Sequence, residues 1–331
     1  RRVTRNATSH TERLPRRHAV CRAALTLLTA ATVLLASCSS APAETEERSD
    51  ARNQAAEYIQ FGNEYFRRSE YEQALRFFEL ARLENLSIDN RAGVASANNS
   101  IGRVYLFTGG LDQAEQFFRS SLSIATAIED RILRLQSLSN VGEVYLRRGD
   151  TQTALGYFEQ ALELAEGNED GAAILRHNLG TTYTRLDRHE EAITILQEAL
   201  DANLAADRLA EAASNYYMLA LASSRLGNTD EAYAYATEAL DLDKRIENSL
   251  GIAKDLFALG RISAARDEPE AAYDYMQRAL QVYLAISSVP DVERTLGQLA
   301  ALASELGLES EAAEYERQRQ IVAGEPAGEG G

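Results

Sequence analysis

"SNVGEVYLRRGDTQTALGYFEQAL", residues 139–162, carries two apolar patterns of helical period with a break between them. Leu138, Val141, Gly142 and Tyr145 fall at i, i+3, i+4 and i+7, and Leu155, Phe158 and Leu162 repeat that spacing, so each half presents one apolar helix face. "RRGD" (147–150) separates the halves, as Gly109, Gly149 and Gly227 do in their own stretches. The segment predicts two antiparallel helices of about 16–18 residues, each roughly 25 Å long at 1.5 Å per residue.

The same unit recurs along the chain. "NSIGRVYLFTGGLDQAEQFFRSSL" (99–122) and "HNLGTTYTRLDRHEEAITILQEAL" (177–200) align with it. Its first small residue returns as Gly62, Gly102, Gly142, Gly180, Ala220, Gly260 and Ala300, at intervals of 40, 40, 38, 40, 40 and 40 residues. A second small residue returns as Ala74, Ala114, Ala154, Ala192, Ala232, Ala272 and Ala312, and a third as Ala81, Ser121, Ala161, Ala199, Ala239 and Ala279. A small side chain lets two helix axes approach, and a large neighbour such as Tyr145 or Phe158 fills the space above it. One pair cannot bury its apolar face alone, so the units are expected to stack through nearest-neighbour interfaces. Glu316 and Arg319 replace Phe158 and Ala161 in the seventh unit, and this polar last helix reads as an end cap.

The order of a small residue, Tyr three later, a turn, then Ala, a large apolar residue and Ala resembles the tetratricopeptide repeat. The resemblance covers about residues 55–322, and it implies an all-α, right-handed superhelical solenoid of about seven helix pairs. The period is the longer 40-residue variant rather than the usual 34. The last three units carry Ser223, Ser263 and Ala303 in place of the tyrosine.

The N-terminus reads differently. Residues 1–37 hold seven arginines against Glu12, and Ala23–Ala36 is the uncharged run "AALTLLTAATVLLA", the order of a secretory signal and too short for a membrane span. Leu35-Ala36-Ser37-Cys38 resembles the lipobox of bacterial lipoproteins. That resemblance implies cleavage before Cys38 and a covalent lipid on its thiol, with two or three acyl chains making a lasting anchor. The alternative is an ordinary cysteine in an uncleaved leader. Ser39, in place of the inner-membrane retention aspartate, points to the outer membrane where the cell has two, so the expected location is the bacterial cell envelope. Residues 38–54 then form a lipidated, flexible tether and 323–331 a disordered tail.

Cys21 and Cys38 are the only cysteines, so the repeat body holds no internal disulfide. Removing the net +6 of the leader from the total of −16 leaves −22 on the remainder, which repels phosphate backbones, and no nucleic-acid partner is expected. Nor is an enzyme. The body offers only His177 and His189, twelve residues apart on different helices, carboxylates such as Glu190-Glu191 on charged faces, and no glycine-rich phosphate loop, so no metal or cofactor is expected beyond the lipid on Cys38. The tyrosines of "AYAYATEAL" (232–240) and "AYDYMQRAL" (272–280) occupy equivalent repeat positions and read as packing.

Opposite the core stripe of each first helix lies a second stripe. Gln136, Asn140, Glu143 and Arg147 share one face. The same register gives Gln60, Asn63, Arg67; Ser96, Ser100, Arg103, Phe107; Asn178, Thr181, Arg185; Ser214, Met218, Leu221, Arg225; and Lys254, Ala258, Arg261. In tetratricopeptide proteins this helix lines the concave wall, and the resemblance implies that Asn140 and Asn178 hold a bound peptide's backbone. The arginines Arg67, Arg147, Arg185 and Arg225 suit a carboxylate-bearing partner, or else complement helix dipoles. From the fifth unit the stripe turns apolar with Tyr217, Met218 and Leu221. The expected function is a membrane-anchored scaffold or adaptor that binds a segment of another envelope protein, contacting the membrane only through its lipid. The alternative is a transport accessory lipoprotein for a small apolar or acidic ligand.

Overall fold

The computed structural model describes residues 46–324, so the leader, Cys21, Cys38 and the last seven residues lie outside the described part. Among the described residues there are fourteen helices and no strand. They run as seven pairs: α1 Glu46–Arg67 with α2 Tyr71–Ser87, α3 Arg91–Phe107 with α4 Leu111–Ala127, α5 Arg131–Arg148 with α6 Thr151–Glu163, α7 Glu169–Arg185 with α8 His189–Ala205, α9 Leu209–Arg225 with α10 Thr229–Arg245, α11 Ser249–Ala265 with α12 Pro269–Ala285, and α13 Val289–Glu305 with α14 Glu309–Ala323. The first helix starts at Glu46, so residues 46–54, expected as flexible tether, are helical. No described helix is long and apolar enough to cross a membrane.

Every turn between consecutive helices contains one residue in the left-handed region: Ser69, Asp89, Gly109, Glu129, Gly149, Gly167, Asp187, Asp207, Gly227, Glu247, Asp267, Ser287 and Gly307. The turn after α5 shows the construction. Gly149 has φ +82°, its N–H reaches the Leu146 carbonyl at 3.2 Å, and the next N–H, of Asp150, reaches back to the Tyr145 carbonyl at 3.0 Å. This is a Schellman closure, which satisfies the orphan carbonyls of the helix end. Side-chain caps start several following helices, as Asp130 and Asp150 do by accepting from the Leu133 and Thr153 N–H groups at 3.0 and 3.2 Å. The repeat of 40 is therefore two modules of 20, each a 17-residue helix plus its turn. The single interval of 38 arises because α6 is only 13 residues long and the turn after it, 164–168, has five residues, which makes this module 18 residues in place of 20.

Each pair is held by one close approach. The phenyl rings of Phe78, Phe118 and Phe158 lie over Gly62, Gly102 and Gly142, and Leu196 and Met276 lie over Gly180 and Gly260. A Cβ on Gly142 would stand 2.7 Å from the Phe158 ring, and one on Gly102 would stand 2.5 Å from Phe118. Where the glycine is replaced by Ala220, the opposing residue shrinks to Ala236, and both are fully buried. Ala74, Ala114, Ala154, Ala192, Ala232 and Ala272 are likewise fully buried and let the second helix seat. Burying each aromatic contributes on the order of 1.5–3 kcal/mol.

Successive first helices (α3, α5, α7, α9 and α11) come into close backbone contact, each with the next. Successive second helices reach one another through long side chains: Tyr233 and Tyr275 share a hydroxyl contact at 2.7 Å, Tyr273 and Tyr315 one at 3.1 Å, and Arg119 donates to the Tyr157 hydroxyl at 3.1 Å. The first helices thus form the inner face of the stack. The tyrosines of "AYAYATEAL" and "AYDYMQRAL" pack against the core on the outer one. The last helix, α14, buries only Ala312 and carries a Glu316–Arg319 ion pair at 2.6 Å, so the core stops there.

The glycine approach gives a paired prediction. Gly142→Ala gains helix propensity yet drives a methyl into the buried Phe158 ring, and it should lower stability by about 1–3 kcal/mol. Gly156→Ala, on α6 with no atom within 4 Å of the new methyl, should raise stability by about 0.5–1 kcal/mol. Urea unfolding followed by far-UV circular dichroism measures both, and equal effects would contradict this packing.

Candidate binding groove

A groove of about 710 Å³ runs across the inner faces of α1, α3, α5 and α7. Asn63, Ser96, Ser100, Arg103, Gln136 and Asn140 line it together with the apolar Ile59, Ile132 and Ile174. Ile132 and Ile174 are 46% and 55% exposed, which leaves apolar area open in a mostly polar wall. A smaller recess of about 480 Å³ continues past α1 and is lined by Gln60, Asn63, Phe66, Arg67 and Arg103.

The two asparagines are placed differently. Asn140 lines the groove and has no hydrogen-bond partner within the described residues. Asn178 donates to the Ser139 hydroxyl at a long 3.4 Å and stands outside the lining. Of the pair the resemblance singled out, Asn140 is thus the one that lines the groove.

The arginines also divide. Arg147 donates to the Leu106 carbonyl at 3.1 Å, and Arg185 donates to the Leu146 carbonyl at 2.8 Å. Each guanidinium therefore closes the C-terminal end of the preceding first helix, where a cation complements the dipole. Arg147 also pairs with Glu143 at 2.9 Å and lies 5.2 Å over the Phe107 ring, so Glu143 is committed as well. These residues brace one repeat against the last. Arg103 is different: it lies over the Phe66 ring at 4.9 Å and forms no ion pair among the described residues, and burial pushes its pKa down from the ordinary guanidinium value. Arg67 and Arg225 likewise form no ion pair within the described residues. The groove's one carboxylate, Asp170, is neutralised by Arg208. The groove therefore carries uncompensated positive charge within a strongly acidic protein.

A register rule explains the buried polar groups between first helices. The seventh residue of one first helix meets the ninth of the helix before it. Ser137 lies 3.2 Å from Asn99, and Asn215 meets His177 Nδ1 at 2.6 Å. Burial lowers the His177 pKa from the ordinary imidazole value, against the opposing hydrogen bond with Asn215. At the next step the pair is Asp255 and Tyr217. The predicted apolar end resolves here: Met218 packs against the core of the fourth and fifth pairs, while Tyr217 lines a separate 130 Å³ pocket with Asp243, Lys254 and Asp255. Asp255 was not among the sequence candidates, although an acid at a position filled elsewhere by Ala97, Ser137 and Leu175 is a readable signal once the repeats are aligned.

The densest polar cluster lies on the outer face. Burial works against ionised Glu115, but hydrogen bonds from Arg148, Arg119 and Tyr145 outweigh it and hold its pKa at about 2. Every partner there is satisfied, which is a structural tie among α4, α5 and α6. No group of three metal-ligating side chains occurs among the described residues.

Tetratricopeptide-repeat family models match residues 93–167 and 133–205, and a further one matches 213–245. No curated protein sequence matches the chain. Among solved structures, the apo form of RapI superposes with a TM-score of 0.65 at 17% identity, over 81% of this chain and 97% of RapI. Aspartyl phosphate phosphatase F from Bacillus subtilis gives 0.63 at 17% identity, over 84% of this chain and 72% of that one. A Rap protein complexed with competence and sporulation factor gives 0.54 at 16% identity, over 85% and 98% of the two chains. These likenesses show a shared fold. The chain carries tetratricopeptide repeats, set in a solenoid that keeps the same helix-pair architecture from its first described pair to its last.

Proposed function

We propose that this protein is a non-catalytic, lipid-anchored scaffold of the bacterial cell envelope that holds an extended, carboxylate-bearing segment of another envelope protein in the groove of α1, α3, α5 and α7. The observation that carries the reading is the pairing of an unopposed cation, Arg103, with an unpartnered amide, Asn140, in one groove beside exposed isoleucines. An amide at a fixed position satisfies the donors and acceptors of a peptide backbone, and a guanidinium takes a carboxylate through two parallel hydrogen bonds. The exposed Ile132 and Ile174 supply apolar contact for intervening side chains. A solved Rap-protein relative of the fold in complex with competence and sporulation factor supports the use of this architecture for binding. The resemblance of Leu35-Ala36-Ser37-Cys38 to a lipobox supports the anchor.

Capture from detergent-solubilised envelopes, followed by affinity measurement on the recovered segment, tests the groove. Arg103→Glu should weaken binding at least tenfold, about 1.4 kcal/mol, and added salt should weaken it further. Arg278→Gln, which breaks a pair with Asp274 on α12, should leave affinity unchanged. Equal binding by the Arg103 and Arg278 variants would overturn the groove assignment, as would recovery of a small metabolite in place of a protein. For the anchor, Cys38→Ala should abolish palmitate labelling and release the protein from membranes. Labelling that persists in the variant would refute it.

A further inference from the structure

We infer that the pocket between α9, α10 and α11 is a second binding site, for a primary ammonium group, with Asp243 and Asp255 as its receiving carboxylates. It stands apart from the groove of α1, α3, α5 and α7 and does not depend on how that groove is used.

The repeats themselves supply the reference. At the position of Asp255 the chain elsewhere has Ser137 and Asn215, and each hydrogen-bonds the ninth residue of the preceding first helix. Asp255 faces Tyr217 there, is only 1% exposed, and lines the pocket with an Oδ2 that has no donor other than the carboxyl of Asp243 itself. Asp243 departs from its own precedent in the same way. In the turn between α2 and α3, Asn90 donates to Asn85 at 2.7 Å, and Asn85 donates onward to the Ala81 carbonyl at 2.8 Å. In the turn between α10 and α11 the matching residues are Asn248, which donates at 3.0 Å, and Asp243, which has no N–H to pass on. Gly93 and Gly251 leave room for the two side chains. The fold thus accepts an amide at both positions, Asn215 bonding through Oδ1 with its Nδ2 unpartnered, and two carboxylates stand where the equivalent sites hold amides.

Two buried acids side by side are costly when the one cation near them among the described residues, Lys254, forms no ion pair with either. Burial, then the neighbouring Asp243, pushes the Asp255 pKa up to about 8, and burial raises that of Asp243. At neutral pH the pair retains a proton. A cation entering the pocket replaces that proton, which leaves to solvent, and it gains two ionised acceptors in a water-poor site. The charged and titratable groups around the pair are Tyr217 from α9, with Arg261, Asp291 and Arg294 beyond it, and Lys254 from α11. Lys254 lines the pocket without an ion pair among the described residues, and its charge opposes a second cation.

The occupant follows from size and donor geometry. A volume of 130 Å³ equals about four waters at ~30 Å³ each, enough for an ammonium head and a short alkyl stem. Three N–H donors match two carboxylates and the Tyr217 or Ser214 hydroxyl, and Ala210, Ala213 and Leu250 receive the stem. A divalent ion would need six or more oxygens, and no third acid or imidazole stands with the pair. The ammonium can come from a lysine side chain or from a peptide N-terminus.

Ligand-observed NMR on the full chain, with n-butylammonium for the side-chain head and glycinamide for the N-terminal head, tests the site and separates the two sources. At least one should bind saturably, while n-butanol should not. Butylammonium affinity should rise about tenfold per pH unit from pH 6 towards 8 and then level off, because the proton it displaces is held up to that range. Asp255→Asn should weaken binding more than tenfold, and Lys254→Gln should strengthen it. Asn215 and Asn85 are the native precedents for Asn at 255 and 243, so Asp255→Asn and Asp243→Asn should keep the wild-type circular dichroism spectrum. Failure of both amines to bind, or binding indifferent to Asp255→Asn, overturns the assignment, and neither result bears on the groove variants above.

Discussion

The structure depends on a single steric bargain made in five of the seven pairs: the first helix gives up a side chain so that a large side chain from the second can lie against its backbone. Phe158 over Gly142 is the clearest case, with no room for even a methyl group between them. This approach sets the distance between the helices of a pair, and the fully buried alanine on the second helix permits it. Where the bargain is struck differently, at Ala220 and Ala236, both partners change together. The two positions change together rather than one at a time, as a close-packed interior requires. At the seventh pair the facing residue is Glu316, paired with Arg319, and no further helix pair is stacked on it among the described residues.

The inner face inherits its chemistry from this geometry. First helices approach one another closely, so polar groups on facing positions are desolvated and must find partners across the interface. Ser137 with Asn99 and Asn215 with His177 do so through one contact each, while the Nδ2 groups of Asn99 and Asn215 stay without a partner among the described residues. Arg147 and Arg185 solve a related problem by closing the carbonyl end of the helix before them. What remains after these needs are met is what the proposed ligands would use. On the N-terminal half that is Arg103, Asn140 and exposed isoleucine; on the C-terminal half it is the Asp243 and Asp255 pair.

Most of the fold was legible in the sequence, because its determinants are local and repeated. The glycine and alanine positions, the helical period, the seven pairs and the polar last helix all follow from residue spacing. The interval of 38 was visible but unexplained until α6 proved shorter than the other helices. Turns at Asp89, Glu129 and Asp207 were less legible than those at Gly109 or Gly149, since a left-handed residue other than glycine is fixed by the helix closure around it and leaves little mark in composition. The start of α1 at Glu46 was missed because "ETEERSD" is polar, as a tether is, while a first helix with one side free needs few apolar residues. The groove was legible as a face and not as a set of partners. Spacing places Arg103 and Arg147 on one stripe, but only the three-dimensional stack shows that one reaches a carbonyl 41 residues earlier while the other has no anion. The acid pair depends on a contact between two helices across a turn, and no single-helix pattern contains it.

The central claim is that the small residue of the first helix and the side chain lying over it act as one unit, as glycine and phenylalanine do in the first three pairs, and a double-mutant cycle at Gly142 and Phe158 tests it most directly. Stability is measured for the parent, Gly142→Ala, Phe158→Ala and the double variant. The account predicts a coupling energy of at least about 1 kcal/mol, with the penalty for the added methyl disappearing once the ring is gone, as at Ala220 and Ala236. Strictly additive penalties would contradict it, because the two side-chain positions would then not be sharing the same space.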